Sequence, residues 1–570
     1  MSQALAGSTP DFPWFNDECP TSIPVSGART VLDVNAERWD EICDVLVVGC
    51  GLSGTSAALR AAEDPSLSVL AVDRGEGGGA SALSGGVLYL GGTRVQKDCG
   101  VEDSAENMAA YLAHETGTLI KPETVRRFAE QSASFIPWLE SHGARFGGPL
   151  SEAKTSYPGT KFLYYSGNEK TLAARKLATP APRGHRTMPA NPADVTAMSG
   201  GELMRPLLAS LASKSNIRLS PETTVRRLIL DGDGRVVGAE MWRLPAGPAR
   251  RHRFLMRMGR NMMATILGAS ARASRAATKI EQESAKLVRV RVKRGVVLSA
   301  GGFIFNPTML ANAAPKYVGI AGIGTIGDDG SGIKLGASVG GATARMDMVS
   351  AWRFLYPPAT WVKGIAIGPD GRRIVNEEEY GARTGEAIFE RNAGLGWIIV
   401  DRPLQEAVEK DAKDPDLLSF QKMTTKAALR LYTKSGATLE RLADKIGVPA
   451  DALVATVEAY NRSIRDGEPD AFGKSDTLRK PIETGPFFAT DISYKPKLNP
   501  ISGVTMGGLT VNEETGAVRG ADGAAIPGLY AAGRNAVGLC SNFYVSGLSL
   551  ADCVFSGWRA ADSLKSTANV

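Results

Sequence analysis

The first strong hydrophobic signal is Val45-Leu46-Val47-Val48, a β-branched run behind Asp44 in which apolar and polar residues do not alternate. That pattern predicts a strand buried on both faces, as in a parallel sheet. Gly49-Cys50-Gly51-Leu52-Ser53-Gly54 follows, then an alanine-rich stretch from Thr55 to Glu63 predicts a helix, and Leu67 to Val72 predicts a second strand closing on Asp73. Together they have the size of a βαβ unit, about thirty residues. Val288 to Leu298 reads as another strand, ending on Ser299-Ala300-Gly301-Gly302. Leu439 to Arg465 reads as a helix with Leu442, Ile446, Leu453, Val457 and Tyr460 facing a core. Strand-and-glycine character returns from Gly503, Gly528 to Gly533 is a short strand and tight turn, and Leu550 to Leu564 predicts a closing helix.

The expected fold class is therefore α/β: a Rossmann-like domain assembled from residues 41–314 and 491–570, with an α+β capping domain inserted at 315–490, behind a proline-containing lead at 1–40. A chain of 570 residues exceeds a single ordinary core. Its 43% hydrophobic and 22% charged residues are those of a folded globular protein. Six cysteines without C-x-x-C pairing and four histidines offer no metal-ligand spacing, so no metal is expected. The N-terminus lacks a charged start followed by an apolar run, and no run of eighteen apolar residues exists; a cytoplasmic location is the expectation.

A lone G-x-G-x-x-G is a weak signal, but here it follows a strand, opens a helix and is trailed by Asp73, nineteen residues after Gly54. Gly49 permits the sharp turn, Gly51 lets backbone reach a pyrophosphate, and Gly54 lets helix and strand pack closely. Free N–H groups at the helix start favour phosphate, and Asp73 suits a ribose hydroxyl. The bland alternative is an αβ turn without ligand.

A second small-residue segment, Gly77 to Gly86, comes directly after the acid. Here the chain resembles the flavin adenine dinucleotide (FAD)-dependent family of fumarate reductases and 3-ketosteroid dehydrogenases. Gly528-Leu529-Tyr530-Ala531-Ala532-Gly533 is similar to that family's C-terminal cofactor stretch, Gly327 to Gly336 to its T-G-D-G turn and helix, Gly371-Arg372-Arg373-Ile374-Val375-Asn376-Glu377 to a strand and turn of its catalytic domain, and Ala455 to Lys474 to a late helix. The resemblance implies FAD as cofactor. It implies that Gly49, Gly51, Leu52, Ser53, Gly54, Asp73, Arg74, Ala80, Ser81, Ser84, Gly85, Gly86, Val225, Ala300, Gly301, Gly302, Asp329, Gly533, Arg534, Ser549 and Leu550 hold it.

Fumarate reducers of the family grip a dicarboxylate with histidine and arginine near the flavin. Here Cys540 to Leu550 contains neither, so an anionic substrate would lack counter-charges. Tyr544-Val545-Ser546 instead resembles the 3-keto-5α-steroid 4-dehydrogenases, which implies Tyr544 polarising the C3 ketone, Ser546 removing the C4 proton and a hydride passing to flavin N5. Tyr380 falls where the family places a second catalytic tyrosine; Tyr164 and Tyr165 are further candidates not assigned a role. For Tyr544 and Ser546 the plain alternatives are core packing beside Phe543 and a small residue in a tight turn. A 3-ketosteroid 1-dehydrogenase, an enoate or dicarboxylate reductase, and a flavin-binding redox partner without substrate stay open. The expected partners are a steroid and an external electron acceptor, not nucleic acid; oligomeric state is not legible.

Net charge is +6, yet nine basic and no acidic residues lie between Arg243 and Lys279, leaving −3 for the remainder. Within this basic insert, Phe254, Leu255, Met258, Met262 and Ile266 recur at helical spacing while Arg253, Arg257 and Arg260 lie largely elsewhere on the wheel. One reading is an interfacial helix, with residues 250–279 touching the inner face of the cell membrane; the other is an ordinary surface helix packed on its own domain.

Overall fold

The computed structural model describes residues 19, 21–22, 24–154, 159–191, 198–262, 267–355, 358–414, 417, 419–496 and 498–566. Strand β1 (Glu41–Val48) is buried from Cys43 onward, leads into helix α1 (Leu52–Ala61), and pairs in parallel with β2 (Val69–Val72). Strand β3 (Ile217–Ser220) extends the parallel sheet beyond β2. Strands β4 (Thr223–Leu230) and β5 (Val236–Arg243) pair antiparallel. Helices α2 (Ala246–Met262) and α3 (Leu267–Ser284) then lead to β6 (Lys286–Leu298), which lies antiparallel to β5 and parallel to β1. Near the end of the chain, β7 (Ala525–Ala531) pairs in parallel with β6, and helix α4 (Leu548–Ser566) follows.

The unbroken apolar runs have a simple cause. Leu46, Val48, Leu70, Val72, Val296 and Leu298 feed a core on one face of the sheet, while Val45, Val47, Val69, Ala71 and Val297 feed a second core on the other. Alternate residues of one strand point to opposite faces, so a sheet covered on both sides must be apolar at every position. The register aligns Val48 with Val72 and Leu298, Val72 with Ser220, and Leu298 with Ala531. The carboxyl ends of these strands therefore share one edge, the place where open α/β sheets receive their ligands.

Alanine content in α1 is explained by α4. A Cβ added at Gly557 would lie 2.5 Å from the Ser53 carbonyl oxygen, so the two helices meet almost backbone to backbone. The capping segment carries a four-stranded antiparallel sheet, in the order Ile365–Ile367, Trp397–Val400, Phe487–Asp491, Thr433–Gly436. Ser502–Thr505 then pairs with Val349–Trp352 and Ala321–Gly322, joining the cap to the trunk.

Two expectations change in detail. Leu439 to Arg465 is two helices, Leu439–Ile446 and Ala450–Arg465, because Gly447 takes a left-handed φ of 78° and Pro449 starts the second helix. The five predicted core positions are buried all the same. The basic insert is a helical hairpin filling the β5–β6 connection; Met262 and Ile266 of its predicted apolar stripe fall where no side chain is described. Among the described residues no helix is long and apolar enough to cross a membrane, and all six cysteines are free thiols.

Candidate functional site

The turns leaving the aligned strand ends surround an open trough. Gly49, Gly51, Leu52, Ser53, Asp73, Arg74, Ala80, Ser81, Ser84, Val225, Ala300, Gly301, Asp329, Arg534, Ser549 and Leu550 line it. Gly54, Gly85, Gly86, Gly302 and Gly533 stand behind its wall. A Cβ at Gly54 would overlap the Gly49 carbonyl, one at Gly302 the Thr505 hydroxyl, and those at Gly86 and Gly533 would come within 2.5 Å of Ser199 and 2.6 Å of the Ser53 hydroxyl. These four glycines shape the trough by close packing; around Gly85 the nearest neighbour, Val87, would stay at an ordinary 3.6 Å.

Gly51 is different. A Cβ there would meet only Ser81 Oγ, at 3.8 Å, and would otherwise project into empty trough. Protein packing does not demand glycine at this position, and the bare backbone is open to a group approaching from the trough. No side chain caps α1 at Gly51, so its first-turn N–H groups stay open to the trough apart from Leu52 N, which donates to Ser81 Oγ at 3.1 Å. A cradle of this kind suits phosphate oxygens. Asp73 accepts from Cys50 N at 2.8 Å and from Gly75 N at 2.7 Å, using one lone pair on each oxygen to clamp both glycine turns. The remaining lone pairs can receive ribose hydroxyls. Burial raises its carboxyl above the ordinary value, against those amide bonds. The donor set fits a dinucleotide.

The far end of the trough is aromatic. Tyr544 lines it and stacks on Trp352 at 4.9 Å between ring centres, inclined by 27°. Tyr380 lies 6.1 Å from Tyr544, and Phe354 stands edge-on to Tyr380 at 5.4 Å. Phe543 and Val545 are buried, and Tyr544 and Ser546 are half-buried. Burial above all, then the Cys540 thiol, pushes the Tyr544 hydroxyl well above the usual phenol range; Tyr164 adds to the effect. It therefore remains a proton donor at neutral pH. Tyr165 lies under the Lys170 ammonium, 3.8 Å from its ring centre.

Tyr380 is buried, and its amide donates to Asn168 Oδ1 at 2.5 Å. Asn168 in turn donates to Glu115 Oε1 at 3.0 Å, and Glu115 also accepts from Tyr111 at 2.9 Å. Asn542 donates to the Glu115 carbonyl at 2.9 Å, so one buried cluster fixes both tyrosine-bearing turns. Ser546 does not line the trough; its carbonyl accepts from the Ser166 hydroxyl at 3.0 Å.

Five arginines border the trough, and four have a carboxylate against them: Arg74 with Glu281 at 2.9 Å, Arg253 with Glu222 at 2.7 Å, Arg257 with Glu76 at 2.6 Å, and Arg534 with Asp328 at 2.6 Å. Asp328 also receives Gly302 N at 3.1 Å and Thr325 N at 3.0 Å, tying the 324–331 turn to the trunk.

Sequence reasoning missed Trp352, Asp328, Glu76, Thr223, Thr224 and the hairpin residues Arg253, Met256, Arg257 and Arg260, all on the trough wall. For the hairpin a signal existed: the three arginines occupy one helical face. For Trp352 none did.

A model of the FAD binding domain family matches residues 44–549. The chain is 36% identical to the 3-oxo-5-alpha-steroid 4-dehydrogenase of Comamonas testosteroni, over 90% of this chain and 96% of the other. It is similar in structure to the 3-ketosteroid-delta4-(5alpha)-dehydrogenase from Rhodococcus jostii RHA1 in complex with 4-androstene-3,17-dione, with a TM-score of 0.76, 30% identity, and 94% and 99% of the two chains covered. To the 3-oxosteroid 1-dehydrogenase of Mycobacterium tuberculosis strain H37Rv it is 25% identical, over 86% of this chain and 92% of the other.

Proposed function

This chain belongs to the FAD binding domain family, and on that premise we propose that it dehydrogenates a 3-oxo-5α-steroid between C4 and C5, passing the electrons through FAD to an external acceptor. The observation that carries the reading is the aromatic end of the trough: a protonated Tyr544 hydroxyl on the wall, packed among Trp352, Tyr380 and Phe354. Such a surface suits a flat, uncharged, largely apolar molecule with one ketone. The two similar Δ4 enzymes support the regiochemistry.

FAD, when bound, supplies the hydride acceptor. Gly49, Gly51, Leu52 and Ser53 would hold its phosphates, Asp73 its ribose, and Ser81, Ser84, Ser549 and Leu550 the flavin side. Tyr544 would donate a hydrogen bond to the C3 ketone and so acidify the neighbouring C–H; preorganised donors of this kind are worth several kcal/mol, about 2.7–4 for one oxyanion-hole donor. Ser546, two residues further along the chain, is the proposed proton acceptor at C4. Tyr380 would buttress Tyr544 and the ketone. Residues 41–314 and 491–570 would form the cofactor trunk, and 315–490 the cap that excludes water from the reacting carbons.

Anaerobic mixing of the holoenzyme with a 5α-saturated 3-ketosteroid is expected to bleach the flavin and yield a C4–C5 double bond, located by NMR. A C1–C2 product would make the enzyme a 1-dehydrogenase, and an unchanged flavin would sink the steroid assignment altogether.

A further inference from the structure

Helices α2 and α3 interrupt a β-hairpin connection that needs only a few residues, and they return over the cofactor trough. Arg253, Met256, Arg257 and Arg260 of α2 line that trough beside Asp73 and Thr223 to Val225, its ribose-binding end. Their spacing of three, four and seven puts them on one face of the helix.

The base of the hairpin is locked. His252 is fully buried and hydrogen-bonds Glu281 of α3 at 2.7 Å; Glu281 also receives Arg74 at 2.9 Å, and Thr278 receives it at 3.0 Å. Arg74 is the neighbour of Asp73, so α3 is wired to the ribose acid by a buried pair. The trough-facing side is held more loosely. Arg257 and Glu76 meet through two hydrogen bonds of 2.6 Å, but the arginine side chain is 58% exposed and the glutamate 32%. Exposed pairs of this kind contribute little and are screened by salt. Glu76 belongs to the glycine-rich turn that leads to Ser81. Arg260 makes no ion pair with any described residue, alone among the five trough arginines.

We propose that the α2–α3 hairpin is a lid over the adenosine half of the FAD site. Met256 and Arg260 form its inner surface: a polarisable thioether suited to an aromatic base, and a guanidinium suited to its face or to the adjoining phosphate. The Arg257–Glu76 and Arg253–Glu222 pairs latch it against the turn that reaches the flavin. The proposal rests on the FAD reading and is independent of which substrate is oxidised.

The test uses full-length protein and measures cofactor retention. Apoprotein of the native chain, Arg260→Gln, Met256→Ala and Glu76→Gln is titrated with FAD and, separately, with ADP, and FAD release from each holoprotein is timed at low and high salt. The lid predicts that Arg260→Gln and Met256→Ala each weaken FAD and ADP by a similar factor, about tenfold for a lost contact of 1.4 kcal/mol. It predicts faster FAD release from the native protein as salt rises, a dependence blunted in Glu76→Gln. A melting temperature near native separates these effects from misfolding; should Arg260→Gln fold poorly, Arg260→Lys replaces it. Unchanged FAD and ADP affinities in both lid-surface variants overturn the proposal. So does loss of co-sedimentation with anionic phosphatidylserine vesicles at unchanged FAD affinity, which would make α2 a lipid-facing helix.

Discussion

At the scale of single residues, the chemistry turns on groups whose surroundings hold them in one protonation state. Burial and Cys540 keep the Tyr544 hydroxyl protonated far past neutrality, so in the proposed reaction it would donate a hydrogen bond to the ketone and would not act as a base. Tyr544→Phe is expected to slow the anaerobic reductive half-reaction by about 10²–10⁴-fold with FAD content and spectrum intact; near-native stopped-flow rates would remove Tyr544 from the reaction. A second buried acid makes a stability prediction. Asp552 on α4 is pushed up to about 6, chiefly by burial, with Arg559 opposing. Its folded-state value lies above the unfolded one, so its contribution is fully present below the unfolded value of 3.8 and is lost as pH rises through about 6. Asp552→Asn should therefore stabilise at pH ~8, on the order of 1–3 kcal/mol and a few degrees in melting temperature, and bring no gain at pH ~4. Equal melting shifts at the two pH values would contradict that account.

Among elements, the β1–α1 turn shows that glycines of one motif do unlike work. At Gly51 an added side chain enters open trough, whereas at Gly54 it overlaps the Gly49 carbonyl. Gly51→Val is expected to fold with near-native denaturant stability and lose FAD affinity by at least tenfold. Gly54→Ala should lose stability first, by about 1–3 kcal/mol or more, because an overpacked backbone contact cannot give. Circular dichroism melts together with FAD titration distinguish the two; the reverse ranking would refute the cradle. The same contrast explains what could be seen in advance. β1, β2 and β6 were legible because burial on both faces removes alternation, and Asp73 because its distance from Gly54 follows from the length of one βαβ unit. The break at Gly447 and Pro449 was missed, because the apolar spacing runs on through the two residue types that end and restart a helix. Trp352 was not legible either, since nothing near it in sequence marks it, and Asp328 was legible only as part of the Gly327–Gly336 turn, not as the partner of Arg534. They acquire roles from Tyr544 and Arg534, roughly two hundred residues away, once strand pairing brings Val349–Trp352 against Ser502–Thr505. The arginines of α2 were seen as a charged face, with lipid contact and packing on its own domain left as alternatives, because Glu76 and Glu222 lie far off in the chain.

For the whole molecule, the distribution of charge decides which substrates can enter. The chain carries +6 overall, yet the positive charge along the trough is largely spent within the protein, through the ion pairs of Arg74, Arg253, Arg257 and Arg534. Arg260, which has no carboxylate among the described residues, borders the trough on the same helical face as Arg253 and Arg257. The aromatic end thus meets its substrate with Tyr544 and ring faces, while a dicarboxylate would have to break the 2.6 Å Arg534–Asp328 pair to find a counter-charge. Separating such a half-buried pair leaves an uncompensated carboxylate, a cost of several kcal/mol. Fumarate should therefore fail to reoxidise the dithionite-reduced enzyme at a rate within about a thousandfold of steroid turnover. For a neutral ketosteroid kcat/KM should be nearly flat between low and high salt, since there is no charge to screen. Stopped-flow traces with fumarate and initial rates across ionic strength measure both. Rapid reoxidation by fumarate, or a steep salt dependence for the steroid, would mean that a cation is available beside Tyr544 and that the trough reads charge where the structure offers it only aromatic faces and hydroxyls.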